Sequence, residues 1–169
     1  CRRNISLNNF KAKILNSDIA SNIRELRSLS FDHVFMNPPY FKKNAVKNSP
    51  IPSSNQAKVE TVPLSKWFSI ARKRCKPKGK ITIIQRVERL PEVMECLGSH
   101  FGQITVQPIS SFKDTSPKTI IVQATKNSSG AFTLLAPKTV HKRDSVSGKV
   151  VYEEELNKIL RSGYPLLLN

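Results

Sequence analysis

Two spacings of apolar residues alternate along the chain. Short runs of apolar and β-branched residues mark strands: Phe31 to Met36 (FDHVFM) and Ile81 to Ile84 (ITII) read as buried strands. Ile104 to Ile109 and Thr119 to Thr125 read as two more, joined by a Ser, Lys and Pro loop short enough for antiparallel neighbours. Lys11 to Asn16 (KAKILN) reads as a further short strand with Ser17 and Asp18 at its exit, and Ala131 to Ala136 (AFTLLA) as an edge strand. Helical spacing appears between these runs. Leu64, Trp67, Phe68, Ala71 and Cys75 form one apolar stripe that starts at Thr61 and Pro63 and stops at Pro77 and Gly79. Ser21 is placed to cap a short helix carrying Ile23, Leu26 and Leu29. Cys1 to Asn9 reads as the last turns of a helix, Pro91 to Leu97 as a short helix before a turn at Gly98 to Gly102, and Tyr152 to Arg161 as a terminal helix with Leu156, Ile159 and Leu160 inward.

Alternating helices and strands followed by a hairpin predict an α/β domain whose sheet is mainly parallel with one antiparallel strand. At 169 residues a single domain is expected, with residues 131–169 as a C-terminal extension. Lys42 to Glu60 is Lys, Asn, Ser and Pro with few apolar residues, the pattern of a long mobile loop.

Charge narrows the partners. The 28 Lys and Arg against 12 Asp and Glu give a net charge of +16, and between Lys42 and Lys80 eleven basic residues face a single acid, Glu60. Polyanions are the natural partner of such a surface, the plain alternative being a solvated basic face. Arg72, Lys73, Arg74 and Lys76 suit a helix C-terminus, so the stretch Lys73 to Lys80 either serves a nucleic acid or simply finishes the helix. No apolar run approaches membrane-spanning length and no secretory leader pattern opens the chain, so a cytoplasmic placement is expected. Cys1, Cys75 and Cys96 lack the spacing of a disulfide framework or a zinc cluster, and His33, His100 and His141 lie far apart, so no metal is expected.

The segment that offers chemistry is Asn37-Pro38-Pro39-Tyr40, which ends the strand Phe31 to Met36 because successive prolines cannot donate ladder hydrogen bonds. Open parallel sheets bind ligands at the carboxyl ends of their strands, where this turn falls. The Asn37 side-chain oxygen and the Pro38 carbonyl can both accept N–H bonds from one planar amine, aiming its lone pair at an electrophile. Tyr40 offers a face on which a base can stack. The alternative is a rigid proline turn with an exposed aromatic.

With its strand context, Asn37-Pro38-Pro39-Tyr40 resembles motif IV of the class I S-adenosylmethionine-dependent N-methyltransferases. That resemblance implies a Rossmann-like sheet, S-adenosylmethionine as cofactor, and Asn37, Pro38, Pro39 and Tyr40 as the catalytic turn, with Asn37 also near the cofactor. It implies further that Asp18, at the exit of Lys11 to Asn16, binds the cofactor's adenine amino group; on its own residues Asp18 could equally be a turn or helix cap. More narrowly, Asn37 to Phe41 (NPPYF), the helix entry Val62 to Leu64, Trp67 and the stretch Tyr152 to Leu166 resemble the bacterial valine-tRNA adenine-N6-methyltransferases. This implies tRNA as partner, methylation of the adenine beside the anticodon, a pocket wall from Phe41, and Lys42 and Lys43, with Lys47, on flanking phosphates unless they are a solvated loop.

In one respect the chain departs from that pattern. The family opens with a strand, a glycine-rich loop, a helix and a second, acid-ended strand; here all six glycines lie after Tyr40. The expectation is therefore a chain that lacks the first two strands, leaves two strand edges unpaired, and is inactive by itself. A methyltransferase for a protein glutamine or an rRNA guanine, and a non-catalytic basic RNA-binding module, are the other functions compatible with these residues.

Overall fold

The computed structural model describes residues 2–21, 23–41 and 60–168. Its helices are α1 (Arg2–Leu7), α2 (Leu64–Arg74), α3 (Leu90–Leu97) and α4 (Glu154–Ser162). Its strands are β1 (Phe31–Met36), β2 (Cys75–Arg86), β3 (Phe101–Ser110), β4 (Thr119–Lys126), β5 (Thr133–Leu134), β6 (Lys138–Thr139), β7 (His141–Arg143) and β8 (Val150–Tyr152). The main sheet has the order β1-β2-β4-β3-β5, with β6 also on β3, while β7 and β8 form a separate hairpin. β1 is parallel to β2, and β5 and β6 are parallel to β3; β4 runs antiparallel to both of its neighbours. The sheet is thus mainly parallel in direction with one reversed strand, as the hydrophobic pattern requires.

Register explains the core. Ile83 pairs with Met36 on one side and Val122 on the other, and Val122 pairs with Val106, so these residues share one face of the sheet. Leu64, Phe68 and Ala71 of α2 and Val93 and Leu97 of α3 cover that face, all buried. Pro63 precedes the first residue of α2 and Pro91 stands in the first turn of α3, where a missing N–H leaves no bond unmade. Gly98, at φ +49°, closes α3 in a backbone conformation that favours glycine.

The closest backbone approach is at Gly102 in β3, where a Cβ would stand 2.1 Å from the Ser128 carbonyl oxygen. Gly102→Ala must push the turn after β4 away from β3. It is expected to destabilise by about 1–3 kcal/mol, read as a lower urea midpoint at constant m-value; an unchanged midpoint would show that the turn yields freely.

On the opposite face, His33 Nε2 lies 2.7 Å from Thr82 Oγ1, and Gln123 Nε2 donates to the same hydroxyl at 3.2 Å. Burial, helped by the Lys80 charge, holds the His33 pKa below its ordinary 6.5. A lowered folded pKa means that the contribution is present above the unfolded value and lost as pH falls. The denaturation midpoint should drop between pH 7.5 and 5.5, and His33→Gln should shrink that drop; an equal drop in the variant would assign it to other groups.

Several sequence expectations are corrected. Lys11 to Asn16 is not a strand, because no described strand lies beside it and an extended segment without a ladder partner is irregular. Ser21 does not cap a helix: Ile23 precedes the single turn Arg24–Leu26, and the Ser21 hydroxyl donates instead to the Asp18 carbonyl at 2.5 Å. β1 is not buried but an edge among the described strands, with Phe35 73% exposed. Pro77 and Gly79 do not end α2; it stops at Arg74, and both residues fall within β2, where the pairing skips from Cys75 to Lys80. Phe101 and Gly102 begin β3, Tyr152 ends β8, and Leu160 faces outward at 56% exposure. The loop expected over Lys42 to Glu60, with Lys42, Lys43 and Lys47, lies outside the described residues except for Glu60 itself. Among the described residues no helix is long and apolar enough to cross a membrane.

Candidate active site

β1 and β2 run side by side and end at the same edge of the sheet, at Met36 and Arg86. The chain leaves β1 through Asn37, which is exposed, then Pro38, buried, then Pro39 and Tyr40, both half-buried. Phe41 is 38% exposed beneath the Arg86 guanidinium, 5.8 Å from its ring centre. Asn37, Pro38, Pro39, Tyr40 and Phe41 are thus brought together in one turn at a strand's carboxyl end.

Polar residues of β2 and the turn after it hold that turn from behind. Gln85, fully buried, donates from Nε2 to the Pro39 carbonyl at 3.2 Å and accepts the Arg86 N–H on Oε1 at 2.9 Å. Arg89 donates from Nη1 to the same Pro39 carbonyl at 3.3 Å. Its Nη2 also reaches Glu60 at 3.0 Å and Glu92 at 2.8 Å, and its Nε reaches Glu92 at 3.3 Å. Burial opposes the Arg89 charge, but the hydrogen bonds and charges of Glu92 and Glu60 outweigh it, and the guanidinium pKa moves further up. The Glu60 N–H in turn donates to the Phe41 carbonyl at 2.7 Å. One buried arginine therefore ties the Pro39 carbonyl to residue 60, the other end of the segment that follows the turn.

This arrangement sorts the oxygens of the turn. The Pro39 carbonyl is spent inward on Gln85 and Arg89, whereas among the described residues nothing hydrogen-bonds the Asn37 side chain or the Pro38 carbonyl. The turn can accept hydrogen bonds from a ligand with the two oxygens that the sequence nominates, on a backbone fixed by two prolines and a buried clamp.

Asp18 is elsewhere, in the exposed stretch before the Arg24–Leu26 turn. Its Oδ1 accepts the Ala20 N–H at 2.7 Å and its carbonyl accepts from Ser21, so it organises a local turn; no hydrogen bond or ion pair among the described residues joins it to the Asn37 turn. Burial pushes the Cys75 and Cys96 thiols up, which disfavours their thiolates.

Gln85, Arg89 and Glu60 are the residues that sequence reasoning missed. Gln85 had a signal: it continues the two-residue alternation of Ile81 and Ile83, which places it on the buried face. Arg89 and Glu60 had none, since isolated charges next to turns read as solvated.

No protein-family model matches the chain, and no curated protein matches it. Among solved structures it is similar to a crystal structure described as a predicted O-methyltransferase from Agrobacterium tumefaciens, at 21% identity and TM-score 0.66, over 94% of this chain and 69% of that one. Two crystal structures of M1.HpyAVI, one of them a complex with SAM, align at 14% identity and TM-score 0.43 over 76% and 80% of this chain and 68% and 61% of theirs. The likeness to the first of these is one of fold, a Rossmann-like α/β arrangement with a mainly parallel sheet.

Proposed function

We propose that this chain carries the acceptor side of an S-adenosylmethionine-dependent N-methyltransferase acting on the exocyclic N6 of an adenine in tRNA, the adenine beside the anticodon of valine tRNA by the resemblance of Asn37 to Phe41. The observation that supports the reading is the division of labour in the Asn37 turn, where the Asn37 side chain and the Pro38 carbonyl have no hydrogen-bond partner among the described residues while the Pro39 carbonyl is held by Gln85 and Arg89.

The residues fit the cofactor in part. The Asp18 carboxylate already accepts one N–H in an exposed setting and is suited to an adenine amino group, while the glycines all follow Tyr40, so a glycine cradle is not among the residues of this chain. When bound, S-adenosylmethionine supplies a methyl carbon on a sulfonium, an electrophile that needs alignment more than acid or base. The chain's own residues provide that alignment. Asn37 Oδ1 and the Pro38 carbonyl accept the two amine hydrogens, Pro39 holds the peptide geometry, Tyr40 stacks on the flipped base, and Phe41 walls the pocket. Lys42 and Lys43 follow the turn directly and are assigned to neighbouring phosphates.

The test is acceptor choice. The chain, expressed with any coding sequence that precedes Cys1 in its gene, is incubated with labelled S-adenosylmethionine and unmodified tRNA, rRNA or a glutamine-bearing protein. Label in N6-methyladenosine of tRNA is expected. Label only in rRNA guanine or in protein glutamine would replace the substrate, and tRNA binding without any transfer would replace the reaction with a binding module.

A further inference from the structure

Three cations of the basic stretch most conspicuous in the sequence, and Lys126 beyond it, are engaged within the molecule. Arg74 donates to the carbonyls of Leu26, Arg27 and Leu29, Lys76 pairs with Asp32 at 2.9 Å, and Lys78 donates to the Asn127 carbonyl at 2.7 Å. Lys126 donates to the carbonyls of Arg72 and Cys75 at 2.6 and 2.7 Å. These cations fasten loops to the sheet at the edge opposite the Asn37 turn.

A second set stands at the same edge as the turn. From β2 the edge continues by backbone hydrogen bonds: Val87 to the Lys118 carbonyl, Lys118 to Ile109, Val140 to Ser110 and His141 to Ser111. β6 is four strand steps from β1, about 19 Å, and the β7–β8 hairpin follows it directly. Lys142, Arg143 and Lys149 are exposed on that hairpin, and Lys113 and Lys118 on the neighbouring β3–β4 loop. The acids that face these cations are Glu153, Glu154, Asp144 and Asp114, of which Glu154 also pairs with Lys158 at 2.7 Å. Lys142 meets Glu153 only at 3.7 Å in a solvated pair, and Asp114 is exposed beside Lys113. The Asp144 carboxylate is turned onto the hydroxyl and N–H of Ser147 and the Val146 N–H, which hold its pKa low. The hairpin is also anchored: Phe112, His141 and Tyr152 form a column with ring centres 5.7 and 5.1 Å apart, and Arg161 of α4 lies 5.6 Å from the Tyr152 ring centre.

We propose that the β7–β8 hairpin, through Lys142, Arg143 and Lys149, is a second RNA contact of this chain, gripping backbone phosphates on the far side of β6 from the nucleotide held at the Asn37 turn. RNA, rather than another polyanion, is chosen because the hairpin shares an edge with that turn; in this respect the inference rests on the function proposed above. A folded RNA spans such a distance.

The test is the salt dependence of tRNA binding, measured by filter retention without cofactor on the chain with any coding sequence preceding Cys1. Lys142→Ala, Arg143→Ala and Lys149→Ala together should lower the slope of log K against log salt by about 2–3. The same number of charges removed at Lys11, Lys13 and Lys66 should leave the slope nearly unchanged. An unchanged slope in the hairpin variant, or equal losses in the two variants, would overturn the inference. So would binding of the wild type to phosphatidylserine vesicles, lost in the hairpin variant while tRNA binding persists. Because no methyl transfer is read, a lowered slope in an inactive protein would leave the hairpin assignment standing and remove only the enzymatic reading.

Discussion

Arg89→Met is expected to lower the folding free energy by about 3–5 kcal/mol. Methionine fills much of the same volume but withdraws the guanidinium from the carboxylates of Glu60 and Glu92, at a position that is 7% exposed in the wild type. It also removes one of the two donors to the Pro39 carbonyl. Removing one member of a buried ion cluster is far more destabilising than replacing the whole cluster, so Arg89→Met with Glu60→Gln should recover part of the loss. Urea denaturation of the two variants measures this. A loss below 1 kcal/mol for Arg89→Met would mean that solvent already screens the cluster.

In the chain expressed with any coding sequence that precedes Cys1, Asn37→Ala is expected to slow single-turnover methyl transfer by at least about 100-fold while changing tRNA affinity less than about twofold. The exposed Asn37 side chain makes no bond among the described residues, so its loss should leave the fold intact. What disappears is the acceptor that orients the amine as the new bond forms, an interaction worth most in the transition state. Gln85→Leu leaves Asn37 in place and loosens the Pro39 carbonyl behind it; a smaller loss of rate, with unchanged tRNA affinity, should accompany it. Wild-type rates in Asn37→Ala would remove the role assigned to the turn.

The frame of the fold was legible because most of the segments that build it bury apolar residues at clean spacings, β1 being the exception with Met36 alone buried. FDHVFM and ITII pair as parallel neighbours, and the next two apolar runs pair antiparallel, as their short connection requires. The position of the Asn37 turn followed from two prolines that cannot extend a ladder. Three things were not legible. The segment Lys11 to Asn16 has strand composition, yet a strand needs a partner and composition does not name one. The β7–β8 hairpin is short and charged, and its turn relies on the Asp144 carboxylate and on Gly148 at φ +66°, which no apolar pattern announces. The clamp behind the turn joins residues about fifty positions apart, Pro39 with Gln85 and Arg89, a pairing that only parallel β1 and β2 bring about. For the basic residues, charge density in the sequence does not reveal which cations already hold a carbonyl, as Arg74 and Lys78 do.

The central claim is that the turn at Asn37 orients an exocyclic amine, and it is tested most directly by a substrate without one. A tRNA carrying purine in place of the acceptor adenine keeps the ring that stacks on Tyr40 but lacks the nitrogen. The account predicts that this tRNA binds with the affinity of the unmodified transcript and accepts no methyl group from labelled S-adenosylmethionine. Methyl transfer to the purine-substituted tRNA at the ordinary rate would contradict it.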